Sequence, residues 1–294
     1  MKPGRGAAAV LVALATVAVA WKAVAWILPI WTGAVPADPV AIRIGPVQVR
    51  WYGLLMALAF VPGWALAQPE RRRLGLSVDD LIDVVLLGIP LSLLGARLAF
   101  VVQNAVYFWQ HPVDMLRTWM GGLSIHGALA GAMLTIWVMS RRRGVAPLGL
   151  ADLAMPSILL GQAIGRWGNF FNNEVFGYPT SVPWRVYIRP EMRPLEWASY
   201  AYFHPAFFYE SLCDAAGVLF LVWYRRRPDR EPGEITALYL ATYSAGRFLM
   251  EFFRLGEPLA LGLTLAQWVS VALALGGTLW WAQLRRRAPR AVVE

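Results

Sequence analysis

Residues 84–102 read VVLLGIPLSLLGARLAFVV, an apolar stretch whose only ionisable side chain is that of Arg97. A helix of about 20 residues crosses the roughly 30 Å hydrocarbon core of a bilayer. This stretch is therefore predicted to span a membrane. Comparable apolar runs recur along the chain, at 7–31, 51–68, 119–139, 149–166, 206–224, 235–252 and 261–283.

The composition agrees with this prediction, because 58% of the 294 residues are hydrophobic and only 15% are charged. Soluble domains average roughly 45–50% apolar and about 25% charged residues. The formal charge of +9 does not indicate nucleic-acid binding, since the basic residues do not lie on one face of a soluble domain. The single cysteine, Cys213, and three widely separated histidines lack the spacing of metal ligands. We expect no metal and no cofactor.

Four arginine triplets give the orientation of the apolar runs, and they lie at 71–73, 141–143, 225–227 and 285–287. Positive charge next to a span stays on the cytoplasmic side. Two apolar runs separate each successive pair of triplets, so the chain returns to the same side every time. We predict an all-α polytopic membrane protein with seven core transmembrane helices, an extra N-terminal one, and both termini in the cytoplasm.

The chain is predicted to divide into a hydrophobic segment (1–35), a transmembrane bundle (36–284) and a basic tail (285–294). Residues 167–205 are proline-rich and form a small extracytoplasmic insert. Run 7–31 is interrupted by Lys22 and is interpreted either as a retained span or as a cleaved signal peptide, although no good small-residue cleavage site follows it.

Ionisable side chains inside membrane segments are costly, which makes them candidates for function. Arg97 lies near the outer end of its run, where it either contributes to a site or extends to the interface. His126 lies in the glycine-rich sequence GGLSIHG, residues 121–127. Its imidazole suits a general base, and the alternative is a histidine that only packs and forms hydrogen bonds.

The densest polar stretch is GRWGNFFNNEVFG, residues 165–177. Arg166 can bind phosphate oxygens through its fork of donors, and Asn169, Asn172 and Glu174 can fix hydroxyl groups. The alternative is a helix C-terminal turn that ends in glycine. That alternative leaves the charged and amide side chains unexplained.

Two further motifs place polar groups near the same side of the membrane. Tyr243, Arg247 and Glu251 are spaced four residues apart, so they share one helical face. The alternative is a surface ion pair within one helix. His204 and Glu210 belong to HPAFFYE, residues 204–210, which begins the apolar run 206–224. Arginines and carboxylates in the outer half of one bundle indicate a site for an anionic lipid headgroup.

These motifs resemble those of the bacterial phosphatidylglycerol–prolipoprotein diacylglyceryl transferases. Residues 165–177 match the signature Gly-Arg-x-Gly-Asn-Phe-x-Asn-x-Glu-x-x-Gly of that family at every fixed position. Similar segments occur in the same order: RWYGL at 50–54, GGLSIHG at 121–127, HP with YE at 204–210, and GRF at 246–248 with Glu251.

The resemblance implies an enzyme of the bacterial inner membrane whose active site faces the extracytoplasmic half. Its partners would be phosphatidylglycerol, a preprolipoprotein with a lipobox cysteine, and membrane lipids, with no nucleic acid; the oligomeric state stays open. It would transfer the diacylglyceryl group to that cysteine thiol and release glycerol phosphate. By motif, the essential positions would be Tyr52, His126, Arg166, Asn169, Glu174, Gly177, Tyr243, Arg247 and Glu251. Since the family usually has seven spans, run 7–31 is a departure.

The expected roles follow from this chemistry. Catalysis is assigned to His126 as base, to Arg166 and Arg247 as phosphate ligands, and to Tyr52 and Glu251. Substrate binding is assigned to Arg97, Arg166, Asn169, Asn172, Glu174, Gly177, His204, Glu210 and Tyr243. Cys213 is expected only to pack. The alternative function is a transporter or channel for an anionic lipid or solute, although no internal repeat is visible and the polar residues avoid the midplane.

Overall fold

The computed structural model describes residues 21–118 and 121–287. In these ranges the chain is mostly helical, with two short antiparallel sheets. The helices are α1 (21–32 as described), α2 (Trp51–Arg73), α3 (Val78–Gln103), α4 (Ala105–Gln110), α5 (Ile125–Arg143), α6 (Pro147–Asn172), α7 (Ala206–Tyr224), α8 (Glu234–Glu251) and α9 (Leu265–Arg287). The strands are β1 (Val40–Ile44), β2 (Val47–Arg50), β3 (Val186–Tyr187) and β4 (Tyr202–Phe203), paired as β1–β2 and β3–β4.

Five of these helices are long and apolar enough to cross a bilayer, namely α2, α3, α6, α7 and α9. They confirm the prediction of a polytopic helical membrane protein. Helices α5 and α8 have 19 and 18 residues and are not among these five. The count of eight spans stays a prediction. Of the first run, residues 21–31 are helical, whereas residues 7–20 lie outside the described residues, as do positions 288–294 of the basic tail.

Two predicted boundaries differ from the structure. Helix α5 begins at Ile125 rather than at 119, because Gly121 and Gly122 have φ angles of 90° and 80°, which no right-handed helix accommodates. Helix α6 continues to Asn172, six residues beyond the apolar run. The first eight residues of the polar stretch 165–177 are therefore helical, and the insert begins at residue 173 rather than at 167.

The chain forms two compact units, whose described residues are 21–60, 160–217 and 242–274 in the first and 61–118, 121–159, 218–241 and 275–287 in the second. The core of the first unit joins the end of α6 to the insert. Phe170 and Phe171 pack there with Val186, Phe203 and Phe207, all of them buried. The pairing of Val186 with Phe203 in the β3–β4 sheet therefore fastens the insert to the polar stretch.

The second unit contains a close contact between α3 and α5. A Cβ atom on Gly127 would lie 2.0 Å from the carbonyl oxygen of Gly95, and one on Gly131 would lie 2.2 Å from that of Leu91. Small residues at such crossings let helix backbones touch inside a membrane. Gly127, which follows His126, and Gly131 therefore serve helix packing.

The second unit also holds a buried ion cluster that the sequence did not reveal, formed by Glu70, Asp152 and Arg230 and called here the Arg230 cluster. The Arg230 guanidinium donates to Glu70 and lies 3.9 Å from an Asp152 carboxylate oxygen. Asp152 accepts hydrogen bonds from the backbone N–H of Gly233 and from both the N–H and the hydroxyl of Thr236. It thereby satisfies donors at the start of α8.

Candidate active site

A single buried carboxylate organises the polar residues of the first unit. Glu210, on α7, is 3% exposed. One of its oxygens, Oε2, lies 2.5 Å from Nη2 of Arg166, and Oε1 lies 2.7 Å from Nη1 of Arg254 and 3.7 Å from Nη1 of Arg247. Three guanidinium groups from two helices and a following turn thus converge on one side chain.

Glu251 completes this arrangement. Its Oε2 accepts a hydrogen bond of 2.5 Å from Arg247 and lies 3.7 Å from Nε of Arg254. Its Oε1 accepts one of 2.9 Å from the hydroxyl of Thr264. The pair within α8 that the spacing predicted is present, but it belongs to a larger set. We call Arg166, Glu210, Arg247, Glu251 and Arg254 the Glu210 cluster.

Several buried polar atoms of the first unit have no hydrogen-bond partner within the described residues. They include Nε of Arg166, Oδ1 of Asn172 and Oδ2 of Asp214. A buried polar group without a partner costs free energy, so it is normally paired unless a ligand completes it. Arg166 and Asn172 lie on α6, within the polar stretch 165–177. The structure therefore leaves capacity for a polar ligand at the end of this helix.

The turn after α6 arises from Asn173, which ends the helix in the left-handed conformation, with φ of 57°. Its side-chain oxygen accepts the backbone N–H of Arg189 at 2.9 Å, which binds the turn to the insert. The turn lets Asn169 donate to Glu174 at 3.4 Å. The helix does end within this stretch, as the alternative interpretation held, but the turn is made by Asn173 and not by a glycine. It leaves Arg166, Asn169 and Glu174 unexplained.

Two glycines of the same stretch are required for close contacts. A Cβ on Gly168 would lie 2.4 Å from the ring of Tyr52, so this ring packs directly on α6. A Cβ on Gly177 would lie 1.8 Å from the carbonyl oxygen of Phe253, and Gly177 forms a β-bridge with Arg254. Gly177 thus lets the backbone of Phe253 and Arg254 approach closely, whereas the sequence predicts that it binds substrate. That substrate role stays untested.

His204 lies beside the start of α7 and is linked to the insert. Its Nδ1 is 3.2 Å from the hydroxyl of Tyr209, which accepts a hydrogen bond of 2.7 Å from the indole of Trp184. Burial lowers the pKa of His204 below its usual value. A neutral imidazole nitrogen can accept a hydrogen bond from the Tyr209 hydroxyl, whereas a protonated one cannot. Tyr243, predicted to share one helical face with Arg247 and Glu251, is half-buried on α8.

The remaining two predicted residues, Arg97 and His126, belong to the second unit. Arg97 is buried and donates to four backbone carbonyls, those of Asp114, Met115, Gly121 and Gly122. Its donors therefore hold the segment before α5, which favours a positioning role over the predicted role in substrate binding. His126, in the first turn of α5, is exposed and has no hydrogen-bond partner in the described part of the chain. Its imidazole is free to meet a ligand.

Two residues of the first unit, Arg254 and Asp214, were not predicted from the sequence as site residues. Arg254 was visible only as a charge following Glu251, and its contact with Glu210 joins segments 44 residues apart. Asp214 is buried on α7, one helical turn after Glu210. A carboxylate in an apolar helix, four residues from another, is a signal that the sequence does contain.

Comparison with known proteins agrees with the motifs. The family model described as prolipoprotein diacylglyceryl transferase matches residues 39–283. A phosphatidylglycerol–prolipoprotein diacylglyceryl transferase of Gloeobacter violaceus is 41% identical over 272 residues, covering 90% of this chain and 98% of that protein. Proteins of the same name are 40% identical in Trichormus variabilis, over 86% of this chain and 93% of that protein, and 38% identical in Fervidobacterium nodosum, over 87% and 88%.

Proposed function

Because the chain belongs to the prolipoprotein diacylglyceryl transferase family, we propose that it transfers the diacylglyceryl group of phosphatidylglycerol to a cysteine thiol of a prolipoprotein. The observation that carries this proposal is the Glu210 cluster, in which three arginines converge near the end of α6. Arginine binds phosphate oxygens through paired donors. The cluster therefore has the chemistry to hold the phosphate of the lipid headgroup.

The reaction forms a bond between the thiol sulfur and a carbon of the diacylglyceryl group. It breaks the bond between that carbon and the phosphate oxygen. The electron pair of the broken bond leaves with glycerol phosphate, and the thiol proton passes to a base. Arg166 and Arg247 stabilise the negative charge that grows on the departing oxygen, which lowers the barrier if their contacts strengthen in the transition state. The two glutamates hold the guanidinium groups in place before the lipid binds.

A free cysteine has a pKa near 8.5, so a base assists thiolate formation at neutral pH. We assign this role to His126, whose imidazole is exposed and unpaired in the described residues. Asn169, Asn172 and Glu174 would bind the headgroup hydroxyls, and Tyr52 and Tyr243 would orient the lipid. Glu210 and Glu251 act through the arginines rather than as nucleophiles.

The cellular setting is part of the proposal. The acceptor would be the lipobox cysteine of a preprolipoprotein, and the enzyme would lie in the bacterial inner membrane. The arginine triplets would face the cytoplasm, and the Glu210 cluster and the insert would face the extracytoplasmic side. The chain would fold as the predicted segments 1–35, 36–284 and 285–294.

The test is to incubate the purified protein with phosphatidylglycerol and a lipobox peptide. Transfer is expected to increase the peptide mass by one diacylglyceryl group and to release one glycerol phosphate for each peptide modified. A peptide whose cysteine is replaced by serine is the matched control and is expected to stay unmodified. Folded protein that transfers nothing, but that moves phosphatidylglycerol or an anionic solute across liposomes, would favour the transporter alternative.

A further inference from the structure

The match to the family model begins at residue 39, and the described residues before that position belong to the first unit. Ile30 and Ala37 are buried in the same core as Phe170 and Phe171. Phe170 and Phe171 lie between Asn169 and Asn172 in the polar stretch 165–177. The described part of α1 and its exit segment therefore pack against the backbone that carries the proposed headgroup ligands.

Trp31 makes the most extensive of these contacts. Its ring centroid lies 5.6 Å from each of the rings of Phe170, Phe207 and Phe208. Its indole N–H donates to the backbone carbonyl of Arg185 at 3.0 Å, in the insert. One side chain of α1 thus contacts α6, α7 and the insert. Aromatic pairs at such distances contribute beyond the area that they bury.

Trp26 continues the contact toward α2. Its ring lies 5.2 Å from that of Trp51 and 5.7 Å from that of Phe171, and Trp51 is stacked on Phe171 at 4.7 Å. The next residue after Trp51 is Tyr52, whose ring packs on Gly168. The three aromatic rings therefore hold the first turn of α2 against the end of α6.

The segment after α1 fits the insert equally closely. Gly33 has φ of 83°, and a Cβ there would lie 2.5 Å from the ring of Tyr187. The hydroxyl of Tyr202 donates to the carbonyl of Thr32 at 3.3 Å. Removal of this segment would uncover apolar rings and break both hydrogen bonds to the insert. Such contacts are typical of a permanent part of a folded unit and not of a signal peptide that is cleaved.

We propose that residues 21–38 are retained in the mature protein and act as a positioning element, setting the turn that carries Asn169, Asn172 and Glu174 and the ring of Tyr52. The role in positioning rests on the proposed transferase function, whereas the retention does not. The element lies before residue 39, where the match to the family model begins.

The first experiment measures the intact mass of the protein purified from membranes, followed by brief trypsin treatment in detergent. Residues 21–38 are expected to be present, and the insert is expected to resist cleavage after Arg185, since Arg189 and Arg193 precede prolines and are not trypsin sites. In the variant Trp31→Ala, cleavage after Arg185 is expected to become faster. A mature protein that begins after residue 38, or a Trp31→Ala insert as resistant as the wild type, would overturn the proposal.

The second experiment compares kinetics. Trp31→Ala is expected to lower kcat roughly tenfold or more, because small misplacements of binding groups have large effects on rate, with a smaller change in the KM for the peptide. Trp31→Phe keeps a ring and is expected to recover most of the activity. Trp21, which is 74% exposed, offers the control Trp21→Ala with wild-type behaviour. A Trp31→Ala enzyme with normal kcat would refute the positioning role. If the wild type itself transfers nothing, the proposed function fails, while mass and trypsin still decide retention.

Discussion

The Glu210 cluster and the Arg230 cluster both combine arginines with carboxylates, but in opposite arrangements. In the first, a carboxylate is central and the surrounding arginine side chains keep 19–25% of their surface exposed. In the second, the arginine is central, with a side chain only 2% exposed, and its carboxylate partners are 0–6% exposed. Arginines arranged around a central carboxylate remain accessible to an anionic ligand. An arginine that is itself central and enclosed by carboxylates is not accessible to such a ligand.

Hydrogen-bond satisfaction does not separate the two clusters, because each has a buried guanidinium nitrogen without a hydrogen-bond partner in the described residues, Nε of Arg166 and Nη1 of Arg230. The difference lies in exposure, since the arginines of the Glu210 cluster are partly accessible and Arg230 is enclosed. Buried pairs contribute little net stability, but breaking one is costly. On the basis of exposure we assign binding and chemistry to the Glu210 cluster and structural cohesion to the Arg230 cluster. The following substitutions test this difference.

The largest effect is expected from Arg166→Ala and Arg247→Ala. Each removes a guanidinium from the developing phosphate charge, and loss of one such donor lowers kcat by about 10²- to 10³-fold. Activity is measured as glycerol phosphate release, and thermal unfolding in detergent is measured alongside. Arg142→Ala, at an exposed arginine of a triplet, is the control and should be fully active. Near-normal turnover in either variant would remove the arginines from the mechanism.

The reverse result is expected for Arg230→Met, which removes the central guanidinium and leaves Glu70 with only the 3.9 Å ion pair to Arg73. Breaking a buried pair in this way costs about 3–5 kcal/mol of folding free energy. The unfolding temperature should fall strongly, while kcat per folded molecule stays near that of the wild type. The double variant Arg230→Met/Glu70→Leu should recover much of the loss. A selective loss of kcat with unchanged stability would contradict the structural assignment.

A smaller effect is expected from Asp214→Asn, since this carboxylate is buried one turn from Glu210 and has an oxygen without a partner. It lies on the same face of α7 as Glu210, which holds the arginines of the Glu210 cluster. The amide keeps the shape but cannot ionise, and we expect kcat to fall about tenfold, equivalent to about 1.4 kcal/mol in the barrier. Cys213→Ala changes the preceding residue and should leave the rate unaffected. Equal rates for both variants would assign Asp214 to packing alone.

The smallest effect is a pH dependence of stability through His204. Burial lowers its pKa in the folded state, so the folded protein binds this proton less readily than the unfolded chain does. The contribution to stability is complete above the unfolded value of about 6.5 and is lost as the pH falls through the folded pKa. The unfolding temperature should therefore fall below about pH 6.5, and His204→Gln should reduce that dependence. An unchanged pH profile in His204→Gln, compared with His111→Gln, would exclude His204 as the source.

The long apolar helices could be predicted from sequence because their signal is local, as in 84–102 within α3. The end of α6 was missed because amides and an arginine continue the helix where hydropathy stops. The contact of Arg254 with Glu210 and the four carbonyls bound by Arg97 depend on which segments meet in space. No periodicity in a single helix encodes such contacts. The residue types therefore indicate the chemistry of the site, whereas the contacts of each side chain with distant segments follow only from the three-dimensional structure.

The contact of Gly177 with the backbone of Phe253 means that a side chain at residue 177 would displace Arg254. A methyl group at residue 177 would need that backbone to move by at least about 1.2 Å, since 1.8 Å must become at least 3.0 Å. The adjacent Arg254 would move with it and lose its 2.7 Å contact with Glu210. An alanine at this glycine would therefore inactivate the protein as a missing charge does, although the lost function would be that of a spacer.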